Sequence, residues 1–428
     1  MKNQLAEKID MDVPSIDYRE HTLDNGLKVV MSKFGRIPSV AVNTTFHTGS
    51  KDEDEKMTGL AHLFEHLMFE GSENIPKGKF DEILAENGGD SNAYTSWDST
   101  SYYLTIPSNH LETAFWLDSD RINDFAVSNE SLEIQKDVVL EEKLLYVDNS
   151  PYGSVEEESS KRLFQKSGYR WPIIGNMDHL KEVKLSDLQD FFNTYYRPNN
   201  AVISIVGDID YDKTIMLVDK YYGGIKPGAE ILRKKFNEPE IIEEVRETIY
   251  DTIQLDGKFI FYRMPQMGTK EFYSMSLLNG ILSEGDSSRF YNELEYKYEL
   301  VNECDSNLYG MESTSIFCIS ALAMQGKSLE EIEIKIDEIV EDIKRGNIAE
   351  REITKIKNRV ETFYNSKRQS IVSLADRFSY FKTFYNDCSK INFEVLDYIS
   401  VTKEDIVKTA NEYLNSNQRV VLNYLPKK

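Results

Sequence analysis

Two stretches of the chain switch from a helical to an alternating hydrophobic period in the same way. In DLQDFFNTYYRPNNAVISIV (187–206) and DIVKTANEYLNSNQRVVLNY (405–424), apolar residues recur first at helical spacing, an Asn-containing turn follows, and a β-branched alternating run closes the unit. The two align without a gap at an offset of 218 residues (187 to 405), with Asp187 on Asp405, Leu188 on Ile406, Tyr195 on Tyr413, Asn199 on Asn417 and Val202 on Val420. A helix followed by a strand is predicted at each place. A shared register over 20 residues, at the end of each half, points to an internal duplication.

Between the halves, GGIKPGAEILRKKFNEPE carries paired glycines, two prolines and a charge cluster, the composition of a connector. The expected organisation is a first domain at 1–222, a linker at 223–245 and a related second domain at 246–428. With 428 residues the chain is long enough for two cores, since single cores rarely grow beyond about 250–300 residues. SLEEIEIKIDEIVEDIK has helical period with charge on its polar face, and GGDSNAYTSWDSTSYYLTI alternates like a hairpin or strand pair.

Composition narrows the class. Hydrophobic residues make up 40% and charged residues 29%, as in a globular protein, and no apolar run approaches the ~18 residues that span a bilayer. The start, MKNQLAEKIDMDVPS, has no apolar segment of the kind a secretion signal needs, and the three cysteines, Cys304, Cys318 and Cys388, lack metal-ligand spacing. A cytoplasmic location and no membrane partner are expected. The net charge of −23 disfavours nucleic acid and mildly favours cationic partners.

The candidate chemistry lies in the apolar, Gly-bracketed run TGLAHLFEHLMFEGS. On a helix, His62 and His66 are one turn apart on one face and Glu65 borders that face, so both imidazoles reach one metal ion. H-x-x-E-H is the inverzincin zinc pattern. Two histidines do not complete a catalytic zinc site, which typically has three protein ligands and a place for water, and the segment DVVLEEK supplies candidates for the third. All six histidines precede residue 180, which fits a metal site confined to the first half.

HxxEH alone carries little information, but it stands among LDNGLKVV, HTGSKDE, GGDSNAYTSWDSTSYYL, VVLEE, WPIIGNMDHL and YYRPNNAVISIVGD, which together span most of residues 20–225. In these segments the sequence resembles the pitrilysin/insulinase group of zinc metallopeptidases, especially its shorter branch with the mitochondrial processing peptidases and bacterial relatives. The resemblance implies an α+β fold, two related domains each with an antiparallel sheet covered by helices, and a zinc endopeptidase cleaving extended or unfolded peptides. It also implies a third zinc ligand from an acidic pair about 75 residues after the second His; the distance from 66 to 142 picks Glu142 over Glu141. Glu65 is then the general base, and Asn92, Ala93, Tyr94 and Thr95 form an edge strand beside the metal on which substrate adds as a further strand.

Two positions depart from the family pattern. The family usually carries a Glu seven residues before the third ligand, where this chain has Gln135, an uncharged outer partner. In the second half the family's Arg and Tyr, seven residues apart, are replaced in SSRFYNELEYKYELVNEC by Glu295 and Asn302, with Arg289 and Tyr298 nearby but out of register. The expectation is therefore a heterodimer, in which a related subunit supplies the Arg/Tyr pair across a chamber formed by two chains. A homodimeric peptidase and a non-catalytic scaffold subunit are the alternatives.

Overall fold

The computed structural model describes residues 15–427 except 36, 124, 125 and 234. The amino-terminal stretch 1–14, read above for a signal segment, lies outside the described residues. The chain divides into two compact units. In the first, β1 (Arg19–Thr22), β2 (Lys28–Lys33), β3 (Ser39–Phe46), β4 (Asp90–Thr95), β5 (Thr100–Pro107) and β6 (Ala201–Gly207) form a sheet in the order β1-β2-β6-β3-β5-β4. In the second, β7 (Val245–Asp251), β8 (Gly257–Met264), β9 (Val301–Gly310), β10 (Ser315–Ala323) and β11 (Arg419–Pro426) follow the order β7-β11-β8-β10-β9.

The two sheets share one plan. β2 pairs in parallel with β6, and β7 with β11, while the other neighbours are antiparallel, so each sheet is antiparallel except for one pair made by its first and last long strands. The helix Leu185–Tyr195 and the helix Lys403–Tyr413 occupy positions related by the 218-residue offset (185 to 403), and β6 and β11 begin at the same offset (201 to 419). Both helices open with a carboxylate, Asp187 or Asp405, accepting the backbone N–H three residues upstream. The α+β class and the paired architecture are thus as expected.

The units are not contiguous halves. The first takes the described residues up to 141, then 171–235 and 364–393; the second takes 142–170, 236–363 and 394–427. The reason is the need to cover both faces of each sheet. β6 reads AVISIVG and is buried throughout: Ile203 and Ile205 face the core that contains Leu63, Phe64 and Phe192, while Val202 and Val206 face Leu374, Phe378 and Phe381 of the helix Ile371–Phe384. Ser204, on that second face, accepts from the Ser379 hydroxyl at 2.9 Å, which satisfies a buried hydroxyl pair. In the second unit the helix Val155–Leu163 lies on β8 and β11, with Ser154 bonded to the Tyr424 hydroxyl at 2.8 Å. Each half of the chain therefore lends one helix to the other half's sheet, and a linear boundary at 223–245 separates the sequence repeats but not the packed units. Residues 223–244 form no helix or strand among those described.

The three cysteines are free and buried. The amphipathic stretch forms the helix Leu329–Lys344, capped by Ser328, with Ile332, Ile336, Val340 and Ile343 in the core. Its acids are not all solvated, however. Glu333 is buried and ion-paired with Lys258, Arg246 and Arg419.

Candidate metal centre

The predicted metal helix is Leu60–Leu67. Leu60, Ala61, Leu63, Phe64 and Leu67 are buried, and Phe64 packs on Tyr196 with ring centroids 4.2 Å apart. His62, Glu65 and His66 are left half-buried on the other face. Gly59, just before the helix, has φ 95°, and a side chain there would meet the Ile174 carbonyl at 2.8 Å; Gly175 approaches it so closely that its own Cβ would lie 2.3 Å from the Gly59 Cα. This explains why GLAH and IIGN belong together. Thr58 fastens the contact, accepting from the Asn176 N–H at 3.0 Å and bonding His179 Nδ1 at 3.0 Å.

The His62 and His66 rings lie edge to face with centroids 4.9 Å apart. Burial, then the neighbouring His66, pushes His62 down to about 4, so it is neutral at neutral pH. Glu142 stands on the last turn of the helix Asn129–Lys143, and its carboxylate joins the two imidazoles in one group whose ligand atoms all lie within 4.8 Å of one another. Glu141, the other member of the acidic pair, is exposed. The boundary between units falls one residue before Glu142, inside this helix, so the continuity of the helix sets where Glu142 stands.

Glu65 receives a hydrogen bond on Oε2 from the Thr95 hydroxyl, at the end of β4. Among the described residues β4 is the edge of its sheet, paired with β5 alone. Asn92 and Tyr94 are exposed on one face; Ala93 and Thr95 are half-buried on the other, toward the metal helix. The Ser96 N–H to Ser99 carbonyl bond at 2.8 Å closes the turn after β4 and fixes the alternation of the ladder, so the N–H groups of Asn92 and Tyr94 face β5 and that of Ala93 faces outward. The outward Ala93 N–H is occupied by the Asn92 side chain at 2.8 Å. The Tyr94 hydroxyl donates to Asp376 of the helix Ile371–Phe384 at 2.5 Å, an anchor that no local pattern announces.

Gln135, expected as an outer partner of the metal ligands, donates its amide to Glu70 at 2.8 Å, and Glu70 also pairs with Lys77. Glu70 was missed by the motif reading; the signal was its place four residues after His66, continuing the 62–66 face. Glu53 was missed as well. It is buried, and its two oxygens accept from Gly59 N–H at 2.8 Å and Ala61 N–H at 2.7 Å, at the start of the metal helix. Burial raises its carboxyl to about 8 against the pull of those two bonds.

In the second unit, Glu295 accepts from Cys304 N–H at 3.3 Å and Asn302 donates to the Ala323 carbonyl at 3.2 Å. Arg289 is bound by Glu352 at 2.8 Å and Asp342 at 3.0 Å, and Tyr298 lies under the Lys297 and Lys335 ammonium groups at 4.7 Å. The cation and phenol near the departed Arg/Tyr positions are therefore committed within their own unit.

Comparison with known proteins completes the picture. The family model described as Insulinase (Peptidase family M16) matches residues 28–176, which hold His62, Glu65, His66 and Glu142, and the model described as Peptidase M16 inactive domain matches residues 182–360. The chain belongs to peptidase family M16. The zinc protease PqqE of Helicobacter pylori is 27% identical over 401 residues, covering 93% of this chain and 90% of that protein. A Bacillus subtilis relative described as the uncharacterized zinc protease YmxG is 26% identical and covers 80% of this chain and 82% of its own. A solved protease from Helicobacter pylori superposes with a TM-score of 0.91 at 26% identity, covering 96% of this chain and all of that one. The first half of the periplasmic protease PqqL of Escherichia coli shares the M16 fold, with a TM-score of 0.78 at 18% identity, 97% of this chain and 93% of that one. No helix among the described residues is long and apolar enough to cross a membrane.

Proposed function

We propose that this M16 chain is a zinc-dependent endopeptidase subunit that hydrolyses extended or unfolded peptides in a chamber formed with a second, related chain. The observation that carries the reading is the convergence of His62, His66 and Glu142, from two helices, within 4.8 Å. The donor set fits zinc: two imidazoles, one of them held neutral by burial, and one carboxylate, with a second carboxylate beside them that is not among the ligands. Zinc bound there supplies a Lewis acid that polarises a peptide carbonyl and brings a water proton into reach of a carboxylate base.

The remaining steps belong to the chain's own residues. Glu65 takes the proton of the attacking water and returns it to the leaving amine, and the Thr95 hydroxyl fixes the carboxylate by donating to Oε2. The outer side of β4 receives the substrate backbone as an added strand once the Asn92 side chain yields the Ala93 N–H, which gives affinity without strict sequence demand. Glu295 and Asn302 provide neither cation nor phenol, so a related partner supplies the pair. The cytoplasm is the proposed compartment, on the strength of three buried free thiols; the PqqL relative shows the fold also serving in the periplasm.

The test is metal content with cleavage of a long flexible peptide. The purified chain should carry one zinc, and His66→Ala should lose most of the metal together with activity. Stoichiometric zinc in folded His66→Ala would remove the proposed ligand set, and zinc-independent cleavage would remove the mechanism.

A further inference from the structure

Between β3 and the metal helix runs Gly49–Glu53, fastened along its length. Ser50 N–H donates to the Ser96 carbonyl at 3.2 Å, Lys51 N–H to the Trp97 carbonyl at 3.1 Å, and the Lys51 ammonium to buried Asp98 at 2.6 Å. Trp171 Nε1 donates to the Ser50 carbonyl at 2.7 Å. The approach at Gly49 is so close that a Cβ would stand 2.3 Å from the Ser96 oxygen. The residues gripped, Ser96–Asp98, are the turn that ends β4. At the far end of the same strap sits the Glu53 carboxyl, on the N–H groups of Gly59 and Ala61.

We propose that Glu53 is a positioning residue for the metal centre. Its carboxyl sets the tilt and rotation of the helix bearing His62 and His66, and the strap keeps that helix in register with the turn that closes the substrate edge. The inference rests on the zinc reading above. An eight-residue helix is marginal alone and opens with orphan N–H groups, and here Gly59 offers no side-chain cap, so a carboxyl from six residues upstream takes that place. Two bonds to N–H groups separated by two residues fix rotation about the helix axis, which one bond would not. His62 is the residue immediately after Ala61, so rotation of the first turn moves its ring directly.

The experiment uses the full chain with zinc, and with cobalt(II) as a spectroscopic replacement. Glu53→Gln keeps the size but turns an NH2 group toward one of the two donors. Zinc affinity should fall about 10- to 100-fold, the usual consequence of removing an outer partner of a metal site, and the visible cobalt spectrum should change. Glu53→Asp, which keeps the carboxyl but shortens its reach, should show the same direction. A folded variant of either kind with wild-type zinc affinity and cobalt spectrum overturns the proposal. Hydrogen exchange on the unaltered protein gives a measurement free of folding defects: because coupling is reciprocal, zinc should raise the protection of the Gly59 and Ala61 amides, and unchanged protection overturns the proposal equally. His66→Ala is the separate control. If it retains the wild-type cobalt spectrum, the ligand assignment fails whatever Glu53 does.

Discussion

At the scale of single residues, Glu65 and Glu142 are two carboxylates in different surroundings. Glu142 is grouped with the imidazoles, whereas Glu65 is tied to Thr95 at the end of β4. Glu65→Gln should therefore keep its zinc and lose about 100- to 10,000-fold in kcat, the range for general acid–base catalysis. Metal analysis beside peptide kinetics checks this; turnover near wild type, or loss of zinc, would contradict the role. Glu333 makes a second prediction, about stability. Its ion pairs with Arg246 and Lys258 hold it down to about 2 against the desolvation that raises it, from an ordinary value of 4.5. The folded state thus binds its proton less readily, so the stability it contributes is full above about pH 4.5 and lost as pH falls through about 2. Glu333→Gln strands fully buried Lys258 and should cost about 3–5 kcal/mol at pH 7, as breaking a buried pair does. Urea unfolding of both proteins should show the gap shrinking from pH 5 toward pH 2, and a constant gap would refute the assignment.

At the scale of elements, the loaned helix Ile371–Phe384 and the edge strand β4 are the two whose roles depend on what they meet. Phe378 is fully buried against the first sheet, with its ring 5.4 Å from Tyr18, so Phe378→Ala should cost about 3–5 kcal/mol. A loss under 1 kcal/mol in chemical unfolding would deny the helix its place in that core. Ala93→Pro removes the outward N–H without touching the β5 ladder. It should lower kcat/KM for a long peptide about threefold to tenfold, the worth of one hydrogen bond, with little change in melting temperature. Unchanged kcat/KM would speak against strand addition. The metal helix, the β4–β5 hairpin and the helix–strand repeats were legible because their periods are local. Which sheet a helix covers was not, since periodicity reveals an apolar face and not the surface it meets. For the same reason the Gln135–Glu70 bond, across 65 residues, and the Glu53 cap could not be read from adjacent motifs.

At the scale of the molecule, a zinc-type donor set lies within residues 28–176, matched by the insulinase model, while residues 182–360, matched by the inactive-domain model, carry Glu295 and Asn302, neither cation nor phenol, at the two positions that depart from the family pattern. Arg289 is held by two carboxylates, and the Glu295 and Asn302 side chains bond the unit's own backbone. Transition-state charge would then go without the help that one such donor gives, worth about 100- to 1,000-fold in kcat. The purified chain, zinc-replete, should be a poor peptidase on a long flexible peptide and should gain activity on that scale when mixed with a related M16 chain bearing Arg and Tyr. Self-association would not decide the matter, because two-fold homodimers are the commonest oligomers whether or not a site is completed across them. What decides is the pairing of mutants: Glu65→Gln in this chain must abolish the activity of the mixture, and loss of Arg or Tyr in the partner must return it to the level of this chain alone. Full activity of the isolated chain, unchanged by the partner, would leave a homodimeric enzyme that stabilises its transition state with other residues.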